Sequence, residues 1–227
     1  MTTPSAIDIL KNRRAVREYD STVKLSDSLI DSLLKRAWEV TPSKNQFMPY
    51  SIHVLGPQHQ EYKELVYKNC LSSENRNDNI DNCEVARYQE ILPLYANIRN
   101  CSHLLIFTLR LEDTPNKTQQ SAINKGRRHE ATDESRLDKL FSTASLEVGM
   151  FSDALSVLCL ENNVDVSFTL CFHRDLDYWK NLPFVTRSPL LLMTLGKGKI
   201  YRTDWLEERG WLQYDLRPNY ERIVKFV

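Results

Sequence analysis

Three arginines fall within five residues near the N-terminus, in Arg13-Arg14-Ala15-Val16-Arg17-Glu18-Tyr19-Asp20. A guanidinium presents five donors in a rigid planar fork and keeps its charge at working pH. Several together can clamp a phosphate, which carries roughly 1.5 to 2 negative charges near neutrality. The same run beside Glu18 and Asp20 also fits a solvated basic turn, the ordinary fate of a charge run. No catalytic triad or paired carboxylate stands out. The six glycines form no G-x-G-x-x-G and no Walker loop, so a glycine-rich phosphate cradle is excluded. The cysteines, Cys70, Cys83, Cys101, Cys159 and Cys171, are odd in number and none are at C-x2-C spacing, which argues against zinc or an iron–sulfur cluster. Cys101, Cys159 and Cys171 lie in apolar runs and read as buried small hydrophobes.

The composition is that of a soluble globular chain: 227 residues, 41% hydrophobic, 26% charged. Thirty basic residues balance thirty acidic ones, so sequence-independent nucleic-acid binding is not expected. No apolar run approaches the roughly 18–20 residues of a membrane span, and Asp8, Lys11 and Arg13 interrupt any signal-peptide core. Reduced thiols point to the cytoplasm.

Helical periodicity places the arginines at the end of a first helix, residues 5–14, capped by Ser5 with Asp8 three residues on. The clearest helix runs from Ser26 to Val40, with Leu29, Ile30, Leu33, Leu34, Ala37 and Trp38 on one stripe. Thr41-Pro42 ends it, because a residue before proline avoids the helical region. A polar loop leads into a strand, Ser51–Leu55, where His53 reads as structural. Residues 58–70 read as helix, 71–82 as loop and 83–99 as a helix broken near Pro93. His103–Leu109 is a strand buried on both faces. Residues 111–136 form a polar excursion or lid, whose Lys117, Lys125, Arg127, Arg128 and His129 fit either a phosphate contact or plain surface. Leu137 to Asn162 is a central buried helix with Gly149 in its middle. Glycine costs about 1 kcal/mol there relative to alanine, which predicts close approach of a backbone or a ring. Val164–Phe172 and Leu190–Gly196 are strands, Lys197-Gly198-Lys199 a turn, and Ile223–Val227 a terminal strand that needs a sheet to join. Strands separated by helices, without repeats, give a single α/β (α+β) domain over 1–227: a central mixed β-sheet flanked by helices.

The loop after the second helix, Thr41-Pro42-Ser43-Lys44-Asn45-Gln46-Phe47-Met48-Pro49-Tyr50, joins with the arginine stretch in one resemblance. Together they resemble the nitroreductase family of flavin enzymes, where R-[RH]-S-x-[RK] is followed one helix later by P-S-S-x-N-x-Q-P-W and a strand. Arg13, Arg14, Ala15 and Arg17 match the first signature, with Ala15 in the serine place. Pro42, Ser43, Gln46 and Pro49 stand in ungapped register with the second, with Gln46, Met48 and Tyr50 in the Asn, Gln and Trp places. The likeness is firm over 9–56, moderate over 140–172, loose over 190–227 and absent over 57–139.

The resemblance implies a homodimer with two FMN sites at the subunit interface and a C-terminal strand swapped onto the partner's sheet. Arg13 and Arg17 would take the phosphate and ribityl oxygens. Arg14 and the Ala15 backbone would line the pyrimidine edge, where positive charge stabilises reduced flavin. Pro42, Ser43, Lys44, Asn45 and Gln46 would run along the ring and ribityl chain from the other subunit. Val166, Ser167 and Phe168 would face the flavin near N5, although that turn lacks the family's glycines. Arg217 would complete the phosphate site, with Lys197 and Lys199 as competitors. The implied activity is an oxidoreductase in which NAD(P)H reduces FMN and a small electron-poor acceptor, nitroaromatic or quinone, is reduced in turn. Such chemistry needs no catalytic side chain and no metal. Phe47, Met48 and the aromatics of 201–214 would shape the acceptor pocket or serve only core and interface. A flavin binder of the same fold without turnover, and a non-flavin protein whose arginines dock an acidic partner, are the alternatives.

Overall fold

A 25-residue helix forms the spine of the molecule, and most of the chemistry-bearing residues are placed by reference to it. The computed structural model describes residues 5–11, 13–43, 46–74, 95–111, 116–126, 137–207 and 223–224. In chain order these give α1 (Ala6–Lys11), β1 (Val16–Tyr19), α2 (Asp27–Val40), β2 (Tyr50–Leu55), α3 (Gln60–Glu74), α4 (Ala96–Asn100) and β3 (His103–Leu109). Then follow α5 (Lys117–Asn124), the spine α6 (Leu137–Glu161), β4 (Asp165–Thr169), a 3-10 turn at Leu176–Trp179, β5 (Pro189–Gly196), β6 (Gly198–Tyr201) and α7 (Arg202–Glu207).

The main sheet has the order β2-β3-β5-β4, and β1 pairs with β6 in a separate two-stranded ribbon. All of these ladders are antiparallel, with Ile52 opposite Phe107, Ile106 opposite Leu192, and Phe168 opposite Met193. The two-residue period of a strand sends alternate side chains to opposite layers. Leu105, Phe107, Leu191, Met193 and Leu195 pack against Ile30, Leu33 and Ala37 of α2 and Leu140, Ala144, Phe151 and Leu155 of α6. Leu104, Ile106 and Leu192 face Val66 and Cys70 of α3, Ile98 of α4 and Trp179. Each such buried side chain contributes roughly 1.5–3 kcal/mol. The outcome is the expected α+β fold with helices packed on the sheet, although the ladders among the described residues are all antiparallel and not mixed.

Local signals explain the helix ends. Ser5 Oγ accepts from the Asp8 N–H while the Asp8 carboxylate accepts from the Ser5 N–H, a reciprocal cap. Ser26 Oγ accepts from the Leu29 N–H, and the Thr41 N–H closes α2 on the Ala37 carbonyl.

Several expectations are corrected. The arginine stretch does not simply trail a helix: from Val16 it becomes β1, because Val16 and Tyr19 are needed in the core, 0% and 1% exposed. Lys197-Gly198-Lys199 is not a free turn, since Gly198 opens β6 against β1. Trp38 is 59% exposed; it lies one residue beyond Ala37, at the edge of the stripe that Ile30, Leu33 and Ala37 point inward. Residues 111–136 contain a helix, α5. Cys171 is exposed, whereas Cys70, Cys101 and Cys159 are buried free thiols. Burial pushes the Cys101 and Cys159 thiols up to about 12. A stretch within α6, Lys139–Glu161, is long and apolar enough to cross a membrane by length and composition, but it is the helix on which the core is built. The 71–82 loop begins as the end of α3, and its remainder, the segment 83–94, Cys83 and most of the terminal strand lie outside the described residues.

Candidate functional site

Both signature stretches lie against α6, at points six positions apart. Arg13 meets Asp153 at 3.3 Å, and Ser43 donates to the Glu147 carboxylate at 2.7 Å. Six residues are about 9 Å of helix axis and roughly 120° of rotation, so the two contacts lie on different faces.

On the Arg13 side α6, β4 and β5 enclose an open cavity of about 720 Å³. Its walls are mostly apolar, with Phe141, Val148, Phe168, Leu170, Leu190 and Leu191, and its charges are Arg13, Asp153 and Arg174. The strand period decides which β4 residues reach it: Phe168 and Leu170 do, being 37% and 60% exposed. Val166 and Ser167 are buried, and the Ser167 carbonyl accepts from Thr194 Oγ1. Gly149 lines this cavity, and a Cβ added there would meet nothing within 4 Å. The close approach expected at Gly149 is therefore absent among the described residues, which leave this helix surface open.

Arg13 and Arg14 are held loosely. Arg13 is 40% exposed, pairs with Asp153, and leans on the Phe168 ring at 5.7 Å. Arg14 is exposed and stands 5.4 Å from the Tyr201 ring. Arg17 is half-buried in β1. Ala15 is half-buried, and its carbonyl accepts from the Arg202 N–H at 2.7 Å. Arg202, at the start of α7, was not legible as a site residue; its Nε is buried with no hydrogen-bond partner among the described residues. Lys199 is paired with Glu18 at 2.7 Å, which raises its pKa through that hydrogen bond, and Lys197 stands 3.9 Å from Asp165.

The second stretch is knit into the fold. Ser43 Oγ accepts from the Met48 N–H at 2.8 Å while donating to Glu147, which is 2% exposed. Arg110 donates to the Phe47 carbonyl at 2.6 Å and to the Met48 carbonyl at 3.0 Å. These bonds hold Gln46 and Met48 at φ 55° and 44°, a left-handed conformation that costs a non-glycine residue about 1 kcal/mol or more. Pro42 and Gln46 are exposed; Lys44, Asn45 and Arg217 lie outside the described residues. Met48 and Tyr50 line a second cavity of about 380 Å³ with Leu34, Trp38, Val54 and Arg110. The Tyr50 hydroxyl is buried without a hydrogen-bond partner among the described residues; burial pushes its pKa up, Glu147 adds to this, and Arg110 opposes it. Among the described residues, none of 13–17 lines this second cavity and none of 42, 43 and 46–48 lines the first, so neither of these two cavities joins the two signatures.

One hydrogen-bonded chain has the order of a hydrolytic triad. His103 Nε2 lies 2.7 Å from Asp27 Oδ1, and Nδ1 lies 3.1 Å from Ser102 Oγ. Ser102 is 1% exposed, accepts from the Leu25 N–H and lines neither cavity. The chain ties the start of α2 to the start of β3. Among the described residues no cluster of three His, Cys, Asp or Glu can hold a metal.

The fold and the two stretches define a nitroreductase-like architecture. The chain superposes on a nitroreductase-like protein from Streptococcus mutans with a TM-score of 0.63 at 18% identity, over 97% of each chain. It covers 100% of itself and 98% of a candidate NAD(P)H:FMN oxidoreductase from Staphylococcus epidermidis, with a TM-score of 0.66 at 14% identity. A candidate nitroreductase from Exiguobacterium sibiricum, solved in complex with FMN, is similar at a TM-score of 0.64 and 15% identity, over 100% and 99% of the two chains. No family model and no curated protein matches the sequence.

Proposed function

We propose that the chain is an FMN-dependent oxidoreductase that uses NAD(P)H to reduce small electron-poor acceptors such as nitroaromatics or quinones. The observation that carries this reading is the large cavity along α6, apolar in its walls and with the Arg13–Asp153 pair at one end. FMN, when bound, supplies the chemistry by accepting a hydride from NAD(P)H and passing reducing equivalents to the acceptor. The residues present fit such a group. The volume of about 720 Å³ suits a flat ring system, Gly149 leaves the helix wall clear, and the Arg202 Nε is a buried donor awaiting an acceptor beside Ala15.

Arg13 and Arg17 bind the phosphate and ribityl oxygens by charge-assisted hydrogen bonds, with Arg217 as a further phosphate ligand. Asp153, against Arg13, keeps that end from being a bare cation and orients the guanidinium. Arg14 and the Ala15 backbone line the pyrimidine edge, and the 166–168 strand end borders the ring. Pro42, Ser43, Lys44, Asn45 and Gln46 come from a second copy of the chain. Two observations support this: among the described residues the two signatures line different cavities, and Ser142, Ser145, Leu146, Gly149 and Asp153 form an exposed stripe at helical spacing along α6. The outer edge of β2, which pairs with no further strand among the described residues and lies beside the exposed Trp38 and Val54, receives the partner's C-terminal strand. The free thiols suit the cytoplasm.

The test is FMN titration of the wild type and of Arg13→Ala/Arg17→Ala, read by flavin absorbance after gel filtration. Wild type should retain FMN and elute as a dimer, and the double variant should lose FMN while keeping its fold. Equal retention by both would remove the arginines from the site.

A further inference from the structure

The cavity holds a second cation that the flavin reading does not use. Arg174 follows β4, just before the 3-10 turn, and lines the cavity. Its guanidinium lies 5.4 Å from the Phe141 ring and 5.6 Å from the Phe172 ring. It makes no hydrogen bond or ion pair among the described residues. Asp175, its sequence neighbour, is turned away to cap the 3-10 turn and accepts from the Asp177 N–H at 3.0 Å. Arg13 and Arg174 reach α6 at Asp153 and Phe141, twelve residues or about 18 Å of helix apart. One cation therefore serves each end of the cavity, with apolar wall between them.

Resting on the flavin reading of this cavity, we propose that Arg174 is the specificity residue for the acceptor and selects a flat aromatic molecule that carries a carboxylate. Two rings flank the guanidinium, and among the described residues none of its donors is spent, the arrangement suited to a bidentate carboxylate. The adjoining surface, Phe141, Val148, Leu170, Leu190 and Leu191, matches an aromatic body and not the sugar of a nucleotide.

The experiment is calorimetric titration of the flavin-loaded protein with 4-nitrobenzoate and with neutral 4-nitrobenzamide, for the wild type, Arg174→Gln and Arg174→Lys. Wild type should bind the benzoate at least about tenfold tighter than the amide, the scale of one charge-assisted hydrogen-bonded contact. Arg174→Gln should bring the ratio close to one, and Arg174→Lys should restore part of it. The inference is overturned if the wild type shows no preference or no benzoate binding, or if the preference survives in Arg174→Gln. It is also overturned if Arg174→Gln instead strips FMN, or selectively weakens NADPH against NADH while the benzoate ratio stands. Calorimetry needs no turnover. A protein that takes up no FMN therefore refutes the flavin reading, while the benzoate-to-benzamide ratio still decides the role of Arg174.

Discussion

The two signature stretches touch the same helix and are held in opposite ways. The loop at 42–50 spends its polar groups inside the chain: Ser43 on Glu147 and Met48, and Arg110 on the carbonyls of Phe47 and Met48. The arginines at 13 and 14 spend almost nothing: one exposed ion pair and contacts over aromatic rings. Exposed pairs of this kind contribute roughly 0–1 kcal/mol, so the Arg13 and Arg14 guanidinium groups add little to folding, unlike Val16 and Tyr19 of the same stretch. The Ser43 and Arg110 bonds hold one stretch in shape, whereas the exposed Arg13 and Arg14 guanidinium groups keep most of their donors for solvent or a ligand.

That contrast can be broken by substitution. Arg110→Ala leaves two carbonyls and two left-handed residues unsupported, and should lower stability by about 2–3 kcal/mol in urea unfolding. A change below about 0.5 kcal/mol would show that the loop stands without its clamp. Arg13→Ala should do the reverse, weakening FMN about tenfold or more in a fluorescence titration while unfolding stays within about 0.5 kcal/mol of wild type. Gly149→Ala sharpens the comparison on the helix itself. Helix propensity favours alanine by about 1 kcal/mol, and the chain offers no steric objection. Thermal stability of the flavin-free protein should therefore rise, while FMN retention falls because the open wall is used by the ring or by the partner. A gain in stability with unchanged FMN retention would mean that nothing seats there.

The smallest expected effect lies away from both stretches. Burial holds His103 below the ordinary histidine range, with Asp27 opposing, and its hydrogen bond to His103 holds the Asp27 carboxylate below its own range. A histidine kept neutral in the fold is protonated more readily in the unfolded chain, so stability is full above about pH 6.5 and declines as pH falls below it. The lowered Asp27 pKa acts in the same direction at more acid pH. Urea unfolding between pH 7 and pH 5 should show this decline in wild type and a flatter profile in His103→Gln.

Much of the fold was legible because its signals are local. The Ser26 cap, the Ile30, Leu33 and Ala37 stripe and the unbroken apolar run of β3 each follow from neighbouring residues alone. What escaped depends on long-range packing. Nothing local says that Val16 and Tyr19 turn an arginine run into a strand against β6, or that Trp38 is left outside while Ala37 is enclosed. The same holds for the site. The arginines and the Pro42–Ser43 loop could be picked out by type and spacing. Arg174, Asp153 and Arg202 could not, because only the packing of α6 and the ribbon brings them to the cavity wall or against the Arg13–Arg17 stretch.

The central claim is that this cavity holds a working flavin. The direct measurement is the visible spectrum of the purified, FMN-supplemented protein before and after NADH or NADPH is added without oxygen. The account predicts a protein-bound flavin spectrum that bleaches on addition and returns when an electron-poor acceptor such as a quinone is supplied. A colourless protein that takes up no FMN, or a bound flavin that neither nucleotide bleaches, would contradict it.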